Sequence, residues 1–186
     1  IEIDSGNISQ NKSEVFYHYS IWWAFVNKVF EGDITAENLK TKGDMALGSY
    51  NFLDGELIML DGTLYQAKEN GEVSIKVAYA NAAFFDKDGG FIIDKANNYD
   101  NLRAEINLKL PSKNFFYAFK IKGDFKKMTC GGLHKQQPPF ETGLDVLIPN
   151  RPIFERENFS GTMVGFYCPE FIGNINVAGF HFHFVS

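Results

Sequence analysis

Near its end the chain reads Gly179-Phe180-His181-Phe182-His183-Phe184-Val185, an alternation that calls for a strand with one aromatic face and one imidazole face. Successive side chains of a strand point to opposite sides, so rings at i and i+2 sit roughly 6.5–7 Å apart along the backbone. At that spacing His181 and His183 can converge on one metal ion through ring nitrogens. Paired histidines in strands also act simply as hydrogen-bonding or solvent-facing groups, and that reading stands beside the metal one. Their aromatic neighbours favour ligation. An unpartnered buried ring is costly, whereas a metal plus an outer hydrogen bond satisfies both nitrogens of each imidazole.

The remaining composition narrows the class. In 186 residues, 16% are aromatic and 22% charged, with nineteen Phe, which describes a globular chain with a sizeable core and a solvated surface. A formal net charge of −5 with scattered lysines leaves no basic surface to neutralise phosphates, so no DNA or RNA partner is expected. The longest apolar run, Ile21-Trp22-Trp23-Ala24-Phe25-Val26, gives way to Asn27 and Lys28, far short of the roughly 20 residues that cross a bilayer. No membrane partner is expected, and a soluble protein is. Cys130 and Cys168 belong to no Cys-X-X-Cys pair and make no disulfide framework. Because the chain starts at Ile1 rather than Met, removal of something upstream, by design or by cleavage of a secretory leader, is expected, and the compartment stays open.

Reading along the chain, Glu2 to Ser13 is polar and suggests a loosely held arm. Ser20 is a candidate N-cap for a short helix through Phe30, and Thr35 to Lys42 reads as a second, closed by Gly43. From Gly48 onward, Asp54-Gly55, Asp61-Gly62 and Asn70-Gly71 separate apolar or alternating segments and predict a series of hairpins. Phe91-Ile92-Ile93 suggests a strand, Asn101 to Leu110 a helix stopped by Pro111, and Phe115 to Ile121 another strand. Lys126 to Asn150, rich in Gly, Pro, Gln and Lys, reads as a long irregular loop of the kind that serves a site. Two strands, Gly161 to Tyr167 and Val177 to Val185, complete the chain. The expected fold is α+β, with a mixed or antiparallel sheet and short helices. It divides into a polar arm (1–14), an N-terminal α+β part (15–123) and a strand-rich, barrel-like C-terminal part (124–186) that carries the metal site.

Several spaced blocks make the chain resemble the α-acetolactate decarboxylase family from about Val15 to the end. They are Gly48-Ser49-Tyr50-Asn51-Phe52-Leu53-Asp54-Gly55-Glu56, Leu60-Asp61-Gly62-Thr63-Leu64-Tyr65-Gln66, Phe115-Phe116-Tyr117-Ala118, Gly123-Asp124-Phe125-Lys126-Lys127, Gln137-Pro138-Pro139-Phe140, Gly161-Thr162-Met163-Val164-Gly165-Phe166 and Gly179 to Phe184. The resemblance implies a zinc-dependent lyase that converts 2-acetolactate to acetoin and carbon dioxide as a homodimer of two-domain α+β subunits. Carried over by position, it implies that His181 and His183 are two of three zinc-binding histidines and that Glu56 is an acidic catalytic residue. Ser49, where the family usually has Thr, with Leu53 and Leu133, would line the substrate site. The third histidine and a further acidic residue would fall beyond Ser186, and the family's substrate-holding arginine aligns with Gly131.

The implied chemistry gives each group a task. A cation drawing on the ketone and hydroxyl oxygens of this β-keto acid takes up charge as carbon dioxide departs. An arginine would orient the carboxylate by a two-pronged contact, and a protonated carboxylic acid would reprotonate one face of the product. With Gly131 at the arginine position, Lys126, Lys127 or Lys135 would have to substitute. Alternatives remain at this level: a non-catalytic metal-binding or assembly relative, an iron protein of oxygen chemistry, and a ligand pair from Cys130 and His134. Glu56 could be an exposed hairpin carboxylate, Ser49 only a turn hydroxyl, His18 a structural residue, and Asp54 and Asp61 plain turn caps.

Overall fold

A computed structural model describes residues 14–68 and 74–186. The polar arm up to Ser13 and the Asn70-Gly71 turn lie outside the described residues. Two antiparallel sheets carry the fold. One is made of β1 (Tyr17–Tyr19), β2 (Met45–Tyr50), β3 (Glu56–Leu60), β4 (Thr63–Ala67) and β5 (Val77–Ala83), in spatial order β1-β5-β2-β3-β4. The other is a three-stranded meander of β6 (Tyr117–Gly131), β7 (Ile153–Cys168) and β8 (Gly179–Val185). Short helices α1 (Trp22–Val26), α2 (Ala36–Leu39), α3 (Tyr99–Asn107) and α4 (Leu144–Leu147) cover their faces. The architecture is α+β with antiparallel sheets, as expected.

Burial explains the strand sequences. On one side of the first sheet Ala46, Leu57, Met59, Ala80 and Ala82 pack under Ala36 and Leu39 of α2. On the other side Met45, Leu47 and Ile58 meet Val164, Phe166 and Cys168 of β7. With both faces covered, every residue of β2 and β5 is buried, and the alternation that marks a half-exposed strand disappears. Turn chemistry holds where expected. Asp61 and Gly62 link β3 to β4 with φ of 52° and 74°, the paired positive values of a two-residue hairpin turn that Asp-Gly favours. Thr35 caps α2 by accepting from the Asn38 N–H at 3.1 Å, although the helix ends at Leu39 rather than running to Lys42.

Four expectations need correction. Ser20 is not a cap: its φ is 63°, Ile21 occupies the cap position, and α1 stops at Val26 rather than Phe30. Phe91-Ile92-Ile93 forms no strand; Phe91 and Ile93 instead lie over the outer face of the second sheet beside α3, around Ile106, Tyr117 and Phe119. The predicted 101–110 helix begins at Tyr99, where Asn98 caps it, and ends at Asn107. The segment from Lys126 is not loop at its start, since residues 126 to 131 continue β6 against residues 153 to 158 of β7, and α4 interrupts the remainder. Gly and Lys disguised that ribbon half because it is largely exposed. Residue 124 consequently lies within β6.

Candidate active site

The imidazole face of β8 turns toward the first sheet. His181 and His183 pair in register with Phe166 and Val164 of β7, and their ring centroids stand 5.0 Å apart at an interplanar angle of 78°. Close approach of the strands depends on Gly165, where a Cβ would fall 2.9 Å from the Phe182 Cα. Phe180 and Phe182 leave by the opposite face to join Phe119 and Tyr167.

The start of β3 completes the arrangement. Nδ1 of His183 lies 2.9 Å from the Leu57 carbonyl; as donor there, the ring keeps Nε2 free as an acceptor. That Nε2 stands 3.7 Å from Oε2 of Glu56, with the two side chains only 10% and 21% exposed. Ser49 is paired directly with Glu56 across the β2–β3 ladder, which sets both side chains on one face. Ser49 is buried, and its hydroxyl donates to the Tyr50 carbonyl at 3.3 Å.

Burial governs the electrostatics. It pushes the Glu56 carboxyl up to about 7, partly offset by the Arg151 guanidinium. It pulls His181 down to about 4; His183 goes to about 3 by burial and the neighbouring ring, against the Leu57 hydrogen bond. Both imidazoles are therefore neutral, the form that ligates metal, and Glu56 holds its proton near neutrality.

Leu53 and Leu133 meet in one apolar cluster with Phe25, Phe30, Tyr79 and Leu144. A turn with φ of 63° at Phe52 and 58° at Leu53 delivers Leu53 there, backbone that costs about 1–3 kcal/mol per residue outside glycine. Asp54 holds that turn. Its carboxylate accepts from Ser74 Oγ at 2.5 Å and from Lys68 and Lys135 Nζ at 3.2 Å each. Asp54 is thus far more than the turn cap expected of it.

A second buried polar group was invisible in the sequence. Asn176, just before β8, donates to Oδ1 of Asn81 at 3.1 Å and to Sγ of Cys168 at 3.2 Å, and accepts from the Tyr79 hydroxyl. Asn81 pairs with Leu47 of β2 and with His18 of β1. The network fixes the chain as it enters the histidine strand. His18, set edge-on against Phe16, lies apart from the pair on β1, although its Nδ1 too is buried without a hydrogen-bond partner.

The residues fit a metal on one observation: Nδ1 of His181 is buried without a hydrogen-bond partner, an expensive state for a ring nitrogen unless something binds there. Among the described residues, no group of three His, Cys, Asp or Glu gathers to hold an ion, so Cys130 and His134 do not complete a set with the pair. Burial raises the Cys130 thiol, which keeps it protonated.

Two antiparallel sheets that bring a neutral histidine pair beside a glutamic acid with its carboxyl raised to about 7 define an α+β protein with a largely buried polar cluster between them. Comparison with known proteins supplies the family. The family model described as alpha-acetolactate decarboxylase matches residues 16–186, and the chain belongs to that family. It is 36% identical over 185 residues to the alpha-acetolactate decarboxylase of Methanosarcina mazei, covering 97% of this chain and 64% of that protein. The Brevibacillus brevis enzyme is 34% identical over 92% of this chain and 62% of its own length. The chain thus spans under two thirds of these two relatives. A crystal structure of the Bacillus subtilis alpha-acetolactate decarboxylase superposes with a TM-score of 0.85 at 32% identity, covering 92% of this chain and 75% of the other. Among the described residues no helix is long and apolar enough to cross a membrane.

Proposed function

We propose that this protein decarboxylates 2-acetolactate to acetoin and carbon dioxide, with zinc held by His181 and His183 and with Glu56 as the acid. The observation that carries the reading is the 3.7 Å approach of a buried, protonatable Glu56 to the free nitrogen of His183. Family membership supports the substrate. When bound, zinc would supply the Lewis acidity that polarises the ketone and takes up charge as the carbon–carbon bond breaks.

The chain's own groups do the rest. Both rings accept a cation without first losing a proton, because burial keeps them neutral. The Leu57 carbonyl orients His183. Glu56 holds a proton at a pH where most carboxylic acids have lost theirs, and delivers it to the carbon that carbon dioxide leaves; solvent then reprotonates Glu56. Leu53 and Leu133 contribute from behind, through the apolar cluster they share, and Ser49 stands beside Glu56 on the neighbouring strand. The active form is proposed to be a homodimer.

The test is acetoin formation from racemic 2-acetolactate by the full-length, zinc-supplemented protein, against a His181→Ala control. Product from the parent protein and none from the control is expected. A folded, zinc-loaded parent that yields no acetoin ends the proposal.

A further inference from the structure

The antiparallel register at the far end of the β6–β7 ribbon creates an exchange of side chains. Gly131 pairs with Ile153, and beyond it the Gly132 N–H donates to the Pro152 carbonyl at 3.1 Å. Residue 151 is therefore the diagonal neighbour of residue 131 and projects from the same face. The structure uses this. A Cβ added at Gly131 would lie 2.6 Å from Cδ and 3.0 Å from Cζ of Arg151, with Nε nearer still. The Arg151 side chain thus runs through the space that any side chain at 131 would need.

Arg151 is aimed as well as placed. Nη1 donates to the Ile148 carbonyl at 3.0 Å, and the backbone N–H bonds the same oxygen at 3.3 Å. The guanidinium bears electrostatically on Glu56. The other arginines are engaged elsewhere: Arg103 with Asp100 on α3, and Arg156 over the Phe159 ring with a bond to Ser186. Lys135 and Lys68 are tied to Asp54, and Lys127 to Glu155.

We propose that Arg151 is the substrate-positioning cation of this protein, binding the substrate carboxylate from β7's approach across the gap left by Gly131. The inference rests on the decarboxylase reading, which supplies a substrate with one carboxylate to hold. A planar guanidinium with one donor committed to Ile148 still offers a two-pronged edge to a carboxylate. Gly131 is then part of the device, since a side chain there would evict Arg151.

The test uses the full-length zinc-loaded protein and two non-reacting probes: 2,3-dihydroxy-2-methylbutanoate, in which the ketone is reduced, and its neutral carboxamide. Calorimetric titration is expected to show the acid bound about ten- to a hundredfold more tightly than the amide, as a charge-assisted pair implies. Arg151→Gln should abolish that preference, Arg151→Lys should keep part of it, and the exchange variant Gly131→Arg with Arg151→Gln should restore it. Thermal melts of all variants establish folding. A preference for the acid that survives Arg151→Gln overturns the proposal, as does a parent protein with no preference. Acetoin assays separate the two readings. Arg151-dependent acid binding without turnover defeats the decarboxylase reading alone, whereas turnover with unchanged KM in Arg151→Gln defeats the role of Arg151 alone.

Discussion

The two faces of β8 come from one alternating heptapeptide, yet they obey opposite rules. On one face Phe180 and Phe182 stack at 5.9 Å over Phe119, and Phe184 meets Phe125 and Phe159. Every group there is satisfied by contact alone. On the other face two imidazoles are crowded to 5.0 Å, one nitrogen has no partner, and a glutamic acid is buried beside them. The aromatic face stabilises the fold, and the imidazole face stores unfavourable desolvation that a bound cation would relieve. A functional strand is thus anchored by the side that does no chemistry.

The sharpest way to break this contrast is to make the imidazole face apolar. His181→Leu is expected to reduce acetoin formation to background and to weaken zinc binding, while thermal stability of the metal-free protein holds or rises. The gain comes from removing the orphaned Nδ1, whose burial costs about 1–3 kcal/mol. Calorimetric melting beside the activity assay checks both halves. A large fall in metal-free stability would mean that the ring is a packed core residue.

The converse variant attacks the aromatic face. Phe119 is fully buried and touches both Phe180 and Phe182, so Phe119→Ala is expected to cost about 3–5 kcal/mol. Urea denaturation reads this directly. Zinc affinity of the folded fraction should change little, because Phe119 lies behind the strand. A loss of metal affinity without a loss of stability would show the two faces to be coupled.

How much of this the sequence could show depends on the range over which each feature is determined. The strand identity of residues 179–185, the Asp61-Gly62 turn and the Thr35 cap are set by neighbours in sequence, and all are legible there. The site is legible only where its residues share such local patterns, as His181 and His183 do. Register is not local. The diagonal approach of Arg151 to Gly131 requires knowing that 131 faces 153, and residues 126 to 131 read as loop because an exposed ribbon needs no apolar alternation. The bonding of Asn81 to Asn176 spans 95 residues and leaves no periodic trace. Phe91 and Ile93 misled for the opposite reason, since three consecutive apolar residues serve a cover over α3 as well as they serve a strand.

Asn176 tests what links the first sheet to the entry of β8. Replacing it by Leu strips the Asn81 Oδ1 of its donor and the Tyr79 hydroxyl of its acceptor, leaving the bond from Asn81 Nδ2 to the Tyr79 oxygen at 3.2 Å, at an expected cost of about 1–3 kcal/mol. A Tyr79→Phe change should cost less in that background than it does alone, because the hydroxyl has by then lost its acceptor and keeps only the Asn81 Nδ2 donor. Denaturant midpoints of the single and double variants form the measurement, and strict additivity would argue that the network does not act as a unit.

The smallest effect concerns the turn that carries Leu53 into the apolar cluster around Phe30 and Tyr79, and it is read through pH. Burial works to raise the Asp54 carboxyl, but hydrogen bonds from Ser74, Lys135 and Lys68 and the charge of Lys68 outweigh it, so the group titrates below its ordinary 3.8. A carboxylate depressed on folding contributes stability that is complete above the unfolded value and is lost as pH falls through the folded one. The contribution therefore fades only in strong acid, from about pH 4 downward. Denaturant midpoints between pH 3 and 7 should show an acid-side decline in the parent protein that is shallower in Asp54→Asn, whose amide cannot titrate. Because burial cancels part of the favourable interactions, the difference in slope should be modest, and curves that stay parallel below pH 4 would mean that Asp54 keeps an ordinary acidity despite its three partners.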